Sequence, residues 1–319
     1  MTRAPRSALV TGATGFIGSA LCRRLVAEGV RTVALVRAES AVERLAGLDV
    51  TVVRTDTFER DALRAALRGV DEVEAVFHLA AYGVHPDQRD AGRMIEGNIA
   101  FVAGLLSALE GRPMQRFLFA GTCSEYGPVA EPERLTESSP VAPRSIYGAA
   151  KAAASLFGAA LARTLALPFV TLRLFGVYGP GEGEHRLVPY LVRCLQRGET
   201  PTLTGGEQVR DLTFVDDVVE ALVTAAVTPA LAPYEAYNLC GGRPARIRDV
   251  AEGVARALGR PDADLGLGRR PYREDEPMWL VGDGERFMSA TGWRPEVDLD
   301  EGLRRTVAAL SGVAPAGGG

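Results

Sequence analysis

The chain has 319 residues, a net charge of −4, 47% hydrophobic and 24% charged residues. That length and balance suit one large domain or two smaller ones with a sizeable core. The weak acidity leaves no electrostatic footprint for nucleic acid or an anionic membrane surface.

Four cysteines at 22, 123, 194 and 240 form no CxxC pair, so neither a disulfide scaffold nor a zinc site is expected. The opening MTRAPRS lacks an apolar signal core, and no run of about 18 apolar residues occurs. The expectation is a cytoplasmic protein with no membrane span.

In chain order, "SALVTG" reads as a short strand and "FIGSALCRRLVAEG" as a helix stopped by Gly29. "TVALV" and "VTVV" (50–53) are strands, and "DALRAALRG" is a helix ending on glycine. "AVFHLAA" and "RFLFAG" are strands four and five. A helix from about Met94 to Leu109 between them is apolar on more than one face. "YGAAKAAASLFGAALARTLA" is a long helix rich in small residues, followed by strand "FVTLRLF". Strands alternating with helices predict a parallel sheet covered on both sides. From residue 176 the elements shorten, which reads as a smaller lobe over 176–311, with segments near 208–240 returning to the first domain (1–175). The tail 312–319 is expected to be disordered.

The loop "TGATGFIG" places Gly12, Gly15 and Gly18 between a strand and a helix. Glycines there let the backbone approach a pyrophosphate, and the helix start offers free N–H groups to it. The expected fold is therefore α/β, a Rossmann-type doubly wound parallel sheet with a smaller C-terminal substrate-binding lobe. In "YGAAK", Tyr147 and Lys151 share a helix face at i and i+4. A nearby ammonium favours the phenolate, lowering a pKa that is ordinarily about 10 and making a general acid–base. In "FLFAGTCSEYG", Thr122 or Ser124 puts a hydroxyl at the end of a central strand, where α/β sheets bind ligands.

Together with "HLAA", Asn98, "LRLFGVYGPG", "RDLTFVDD", "YNLCGG" and "GWRP", these pieces resemble the extended short-chain dehydrogenase/reductase family, in its nucleotide-sugar branch of epimerases, dehydratases and 4-ketoreductases. The resemblance covers nearly the whole chain. It implies Tyr147 as acid–base, Lys151 on the nicotinamide ribose, and Thr122, four residues before Tyr126, on the reacting sugar oxygen. It implies a cofactor held by Gly12, Thr14, Gly15, Phe16, Ile17 and Gly18, by Asp56 and Thr57 near the adenine, and by Leu79, Ala80 and Ala81. It implies a nucleotide-diphosphate sugar near Asn98, Cys123, Ser124 and Gly176, with Arg210 and Arg273 gripping the diphosphate, and a homodimer built on two helices per subunit.

Two departures matter. Gly176 stands where many relatives carry asparagine. Cys123 and Ser124 stand where dehydratases carry Asp-Glu or Ser-Glu, with Glu125 one position later, which weakens a dehydration reading. His78, His85 and His185 show no ligand spacing and read as structural or surface residues.

Arg37 lies 19 residues after Gly18, where an acid would bind the ribose of NAD. An arginine attracts a 2′-phosphate instead; a charge-assisted hydrogen bond worth about 1.5–3 kcal/mol gives about a ten- to hundredfold preference. A surface arginine at a strand end is the plainer account. On the first account NADP(H) is favoured over NAD(H), and the expected activity is NADPH-dependent reduction of a nucleotide-linked 4-keto-6-deoxy sugar. The alternative is an NAD-dependent 4-epimerase. Outside enzymology stands a non-catalytic dinucleotide-binding regulator, against which the Tyr147/Lys151 pair argues.

Overall fold

The computed structural model describes residues 4–312. Among them, seven strands form one parallel sheet in the order β3-β2-β1-β4-β5-β6-β9. These are β1 (Ser7–Thr11), β2 (Arg31–Arg37), β3 (Val50–Thr55), β4 (Ala75–His78), β5 (Arg116–Thr122), β6 (Phe169–Leu174) and β9 (Ala236–Leu239). The central strands are apolar because both faces are covered. Side-chain alternation sends Ala8 and Val10 to one core and Leu9 to the other.

On one face lie α1 (Phe16–Ala27) and α7 (Val215–Val227), packed together. On the other lie α2 (Arg60–Ala66), an unbroken helix from Ala91 to Ala108, and α5 (Ile146–Thr164). The unbroken helix begins as α3 (Ala91–Met94), widens to a π-helical stretch (Ile95–Ala100) and continues as α4 (Phe101–Ala108). It starts three residues earlier than its apolar pattern suggests because Asp90 caps it, accepting from Arg93 N at 2.7 Å. Ser145 caps α5 in the same way through Gly148 N.

The pattern loosens after residue 176 because the chain shuttles between two sheets. Beyond β6, β7 (Gly176–Tyr178) and β8 (Val209–Phe214) pair with each other, and β10 (Pro244–Arg246) and β11 (Trp279–Leu280) join β8. Between these visits β9 joins the large sheet beside β6, with Leu172 opposite Tyr237. Helices α6 (Leu187–Gln196), α8 (Ile247–Ala257) and α10 (Leu299–Ser311) pack on one another, while α9 (Glu285–Thr291) lies against β9. One apolar cluster runs from Val10 and Leu21 through Val218 to Val250 and Leu303, so the two sheets share a core. Gly312 closes α10 in a left-handed conformation. The rest of the expected disordered tail lies outside the described residues.

Phe169 is fully buried and stacks on Phe117 and Phe119 at 5.3 and 5.7 Å. Phe169→Ala is expected to destabilise the fold by about 3–5 kcal/mol through the cavity it leaves, read as a lower midpoint in urea unfolding with an unchanged slope.

Candidate active site

Strands β1 and β4 are neighbours whose helices leave for opposite faces, so a crevice opens beyond their carboxyl ends. The glycine loop lies there. Gly12 has φ +69°, and a Cβ on it would come within 2.7 Å of the Leu79 and Ala80 backbone. A Cβ on Gly18 would collide with the Gly12 carbonyl. Gly15 precedes helix α1 with no side-chain cap, so the helix's first N–H groups are available to an anion. Thr14, Gly15, Phe16 and Ile17 present accessible surface there. Ala80 N donates to Thr11 Oγ1 at 3.3 Å, and Leu79 N to Thr11 O, which seats the Leu79–Ala81 segment beside the loop. This cradle, kept free of side-chain bulk, fits a dinucleotide pyrophosphate. His78 is structural: its Nδ1 pairs with Thr11 Oγ1 at 2.9 Å, and burial, then the Lys151 charge, pushes its pKa down to about 3.

Arg37 ends β2, half exposed, with Glu39 at 3.3 Å. Arg54 shapes the turn beyond it by donating to the carbonyls of Arg37, Ala38 and Ser40. Asp56 is exposed after β3, and Thr57 Oγ1 accepts from Glu59 N at the start of α2. The arginine expected to meet a 2′-phosphate thus already has an acidic neighbour, which weakens the charge it can offer.

The reacting centre forms between β5 and α5. Thr122 ends β5 and leads into a 3₁₀ turn, Cys123–Glu125, where Ser124 N donates to Thr122 Oγ1 at 3.2 Å. The absence of a side chain on Gly148 lets α5 press on this turn; a Cβ there would collide with Ser124 O. The first turns of α5 therefore bring Tyr147 close enough to Thr122 for the two hydroxyls to influence each other. Lys151 is 2% exposed, its Nζ 4.1 Å from the Phe119 ring centroid. Burial pushes Lys151 down to about 8, opposed by the Glu125 charge. Burial also raises the Tyr147 phenol, helped by Cys123 and the Glu125 charge and opposed by Arg186 and Thr122. This corrects the expectation of a phenol depressed below its ordinary value: the desolvated hydroxyl keeps its proton at neutral pH. Cys123 is buried, its thiol pushed up to about 12 by burial, so it is no nucleophile.

Arg210 on β8 and Arg273 converge on one carboxylate, Glu276, at 2.8 and 2.9 Å. The Arg210 charge reaches the buried Cys123 thiol, on the turn that follows Thr122. Two expected substrate contacts have other work. Asn98 is fully buried in the π-helical stretch; its amide donates to Tyr82 O and Met94 O and accepts from Tyr82 N. Gly176 is glycine because a Cβ would come within 2.6 Å of Leu212 and 2.7 Å of Asp211 O, where β7 meets β8.

Sequence reasoning missed Glu125 as an inward-facing group, Arg173, Arg186 and Glu276. A charge inside an apolar strand run, as Arg173 is in "FVTLRLF", was the available signal for one of them. Another went unread: of 36 lysines and arginines, Lys151 is the single lysine. Lysine, unlike arginine, has a pKa that burial can bring toward neutrality.

Among the described residues no cluster of His, Cys, Asp and Glu could hold a metal ion, the four cysteines are free, and no helix is long and apolar enough to cross a membrane. Sheet order, glycine cradle and the Thr122–Tyr147–Lys151 set together define an enzyme of the extended short-chain dehydrogenase/reductase type. The chain belongs to the NAD dependent epimerase/dehydratase family, whose model matches residues 8–240. It is 30% identical to a dTDP-glucose 4,6-dehydratase of Xanthomonas campestris, over 94% of this chain and 91% of the relative. Its fold superposes on the UDP-glucose 4-epimerase of Thermotoga maritima solved with UDP-glucose, with TM-score 0.86, 27% identity and coverage of 96% and 99%. It also matches the UDP-glucose 4-epimerase of Thermus thermophilus solved with NAD, with TM-score 0.84, 29% identity and coverage of 97% and 100%.

Tyr147→Phe keeps the ring packing and removes the exchangeable proton. It is expected to lower kcat by about 10²–10⁴-fold with cofactor affinity little changed. Lys151→Met should reduce both. Because the Lys151 ammonium is lost as pH rises through about 8, wild-type cofactor affinity should fall on the alkaline side of that value, and the Lys151→Met variant should show no such fall. Fluorescence titration of cofactor across that range is the measurement.

Proposed function

We propose that this chain is an NAD-dependent 4-epimerase of a nucleotide-diphosphate hexose. One observation carries the reading: Thr122, Tyr147 and Lys151 come together where β5 meets α5, while the nearby acid, Glu125, is fully buried with both carboxylate oxygens already taken, one by Thr122 N and one by Arg173. Alcohol–ketone chemistry at a sugar carbon needs one proton-exchanging group and one polarising hydroxyl. Elimination of water needs a further acid and base, and Cys123 and Ser124 offer neither. The relatives solved with NAD and with UDP-glucose support the same reading.

Gly12 to Gly18, Leu79 to Ala81, Asp56 and Lys151 would hold the cofactor, and Arg210 and Arg273 the sugar diphosphate. When bound, the nicotinamide accepts and returns a hydride, so the cofactor is regenerated in each cycle. The chain's own contribution is proton handling. Thr122 Oγ1 orients the sugar C4 oxygen against the Tyr147 hydroxyl. Tyr147 takes the proton of that oxygen as the ketone forms and gives it back as the alcohol re-forms. The Lys151 ammonium stabilises the phenolate while it exists. Arg210 and Arg273 exchange Glu276 for two phosphates, anchoring the nucleotide while the sugar ring turns its other face.

A second reading has its own observation. Arg37, with its guanidinium half exposed at the end of β2, favours a 2′-phosphate and hence an NADPH-dependent 4-ketoreductase. Incubation with UDP-glucose and dTDP-glucose, followed by NMR of the sugar protons, separates the two. The 4-epimer forming without net cofactor consumption supports the epimerase. Stoichiometric NADPH oxidation with a nucleotide 4-keto sugar, and no epimer, overturns it. Arg37→Asp is expected to weaken NADP binding and to leave NAD binding equal or better, with the NADP loss shrinking as salt is added. Isothermal titration of both cofactors reads this.

We further propose that the working form is a homodimer. Leu156 and Phe157 on α5, 61% and 51% exposed, and Ile95 on the neighbouring helix, 58% exposed, form an uncovered apolar face. A second copy meeting it would make a four-helix bundle. Light scattering should give twice the chain mass, and Leu156→Glu with Phe157→Glu should give the monomer.

A further inference from the structure

Glu125 is fully buried, and its two carboxylate oxygens do different things. Oε1 accepts from Thr122 N at 2.9 Å, closing the turn back on the end of β5. Oε2 accepts from Arg173 Nε at 2.9 Å, across to β6. Arg173 in turn donates from Nη1 to the Tyr126 hydroxyl at 2.8 Å, and Tyr126 donates to Asn238 Oδ1 on β9 at 2.7 Å. The acid is thus the inner end of a hydrogen-bonded chain crossing three strands. Gly121 makes room for it: a Cβ there would lie 2.6 Å from Glu125 Oε1.

A buried ion pair is weak evidence for stability, because desolvating two charges offsets most of their attraction. Well-packed apolar residues would hold this corner as firmly. What such residues would not provide is an immovable negative charge against the reacting centre. The charged and titratable groups around Glu125 are Arg173 on β6, Cys123 and Tyr126 on its own turn, and Tyr147 and Lys151 on α5; His78 on β4 faces Lys151 from the other side.

We propose that Glu125, locked by Arg173, is the positioning residue of this centre: it fixes the Thr122 backbone at the end of β5 and sets a negative charge in the turn on which α5 packs with Tyr147 and Lys151. The inference rests on the assignment of Thr122, Tyr147 and Lys151 given above. In this arrangement the acid touches neither sugar nor cofactor. It acts through the two groups that do.

The test exploits the single lysine of the chain. In protein labelled with ¹³C at lysine Cε, one resonance reports Lys151, and its wild-type midpoint is expected near pH 8. Glu125→Gln keeps the shape and removes the charge. Its Lys151 midpoint should move to lower pH, and kcat on UDP-glucose should fall about 10–100-fold, the scale of a misplaced reacting group, with KM little changed. A merely structural role would lower the melting temperature and leave the lysine midpoint where it was. Should Glu125→Gln not fold, the double variant Glu125→Gln, Arg173→Met removes both charges from the interior and carries the same expectation for kcat and for the midpoint. An unmoved midpoint together with undiminished kcat in a folded variant overturns the positioning role. Failure of the catalytic assignment is separate: it shows as an active Tyr147→Phe enzyme, and the lysine midpoint still tests Glu125.

Discussion

Every strand of the large sheet runs the same way, so all their carboxyl ends lie along one edge. That constraint brings the chemistry together. Gly12 follows β1, Arg37 ends β2, Leu79 follows β4 and Thr122 ends β5. Four segments far apart in sequence end along one edge because each parallel strand hands the chain on from that same carboxyl edge. The opposite excursions of α1 and α4 open the gap, and the missing side chains of Gly12 and Gly18 let the backbone close tightly around it.

The centre is a dry place with charges in it. Lys151 sits over the Phe119 ring, Glu125 and Arg173 are paired beneath the turn, and His78 is held neutral behind them. In such surroundings a charge without a partner is costly, so each is opposed by another or driven toward neutrality. Burial alone would move Lys151 further from its ordinary value, and the Glu125 carboxylate holds it back. Burial also keeps the Tyr147 phenol protonated at neutral pH.

The second sheet supplies what the first lacks. Its strand β8 carries Arg210, and the segment before β11 carries Arg273 and Glu276. Glu276 draws these two like charges together on one carboxylate. Because β7 continues directly from β6, β9 returns to pair with β6, and β10 leaves again for the second sheet, the two sheets are tied by three crossings and a common core.

Much of this was legible in the residues themselves. The glycine loop, the strand–helix alternation and the Tyr147/Lys151 spacing are local features, dictated by backbone geometry within a few residues, and local patterns survive any packing. What only the tertiary structure decided involves partners distant in the chain. Glu125 read as an acid one place out of register; its meeting with Arg173, 48 positions away, turns it inward. Asn98 read as a substrate contact, and the loop at Tyr82 takes its amide. Gly176 read as a lost side chain, and the approach of β8 explains why no side chain fits. Arg37 read as a free cation, and Glu39, only two places along the chain, moderates it. Each residue's type was visible from the start. Its partner depends on which strands the fold sets side by side, because burial makes an unpaired polar group too costly to leave and the pairing then determines what that group can do.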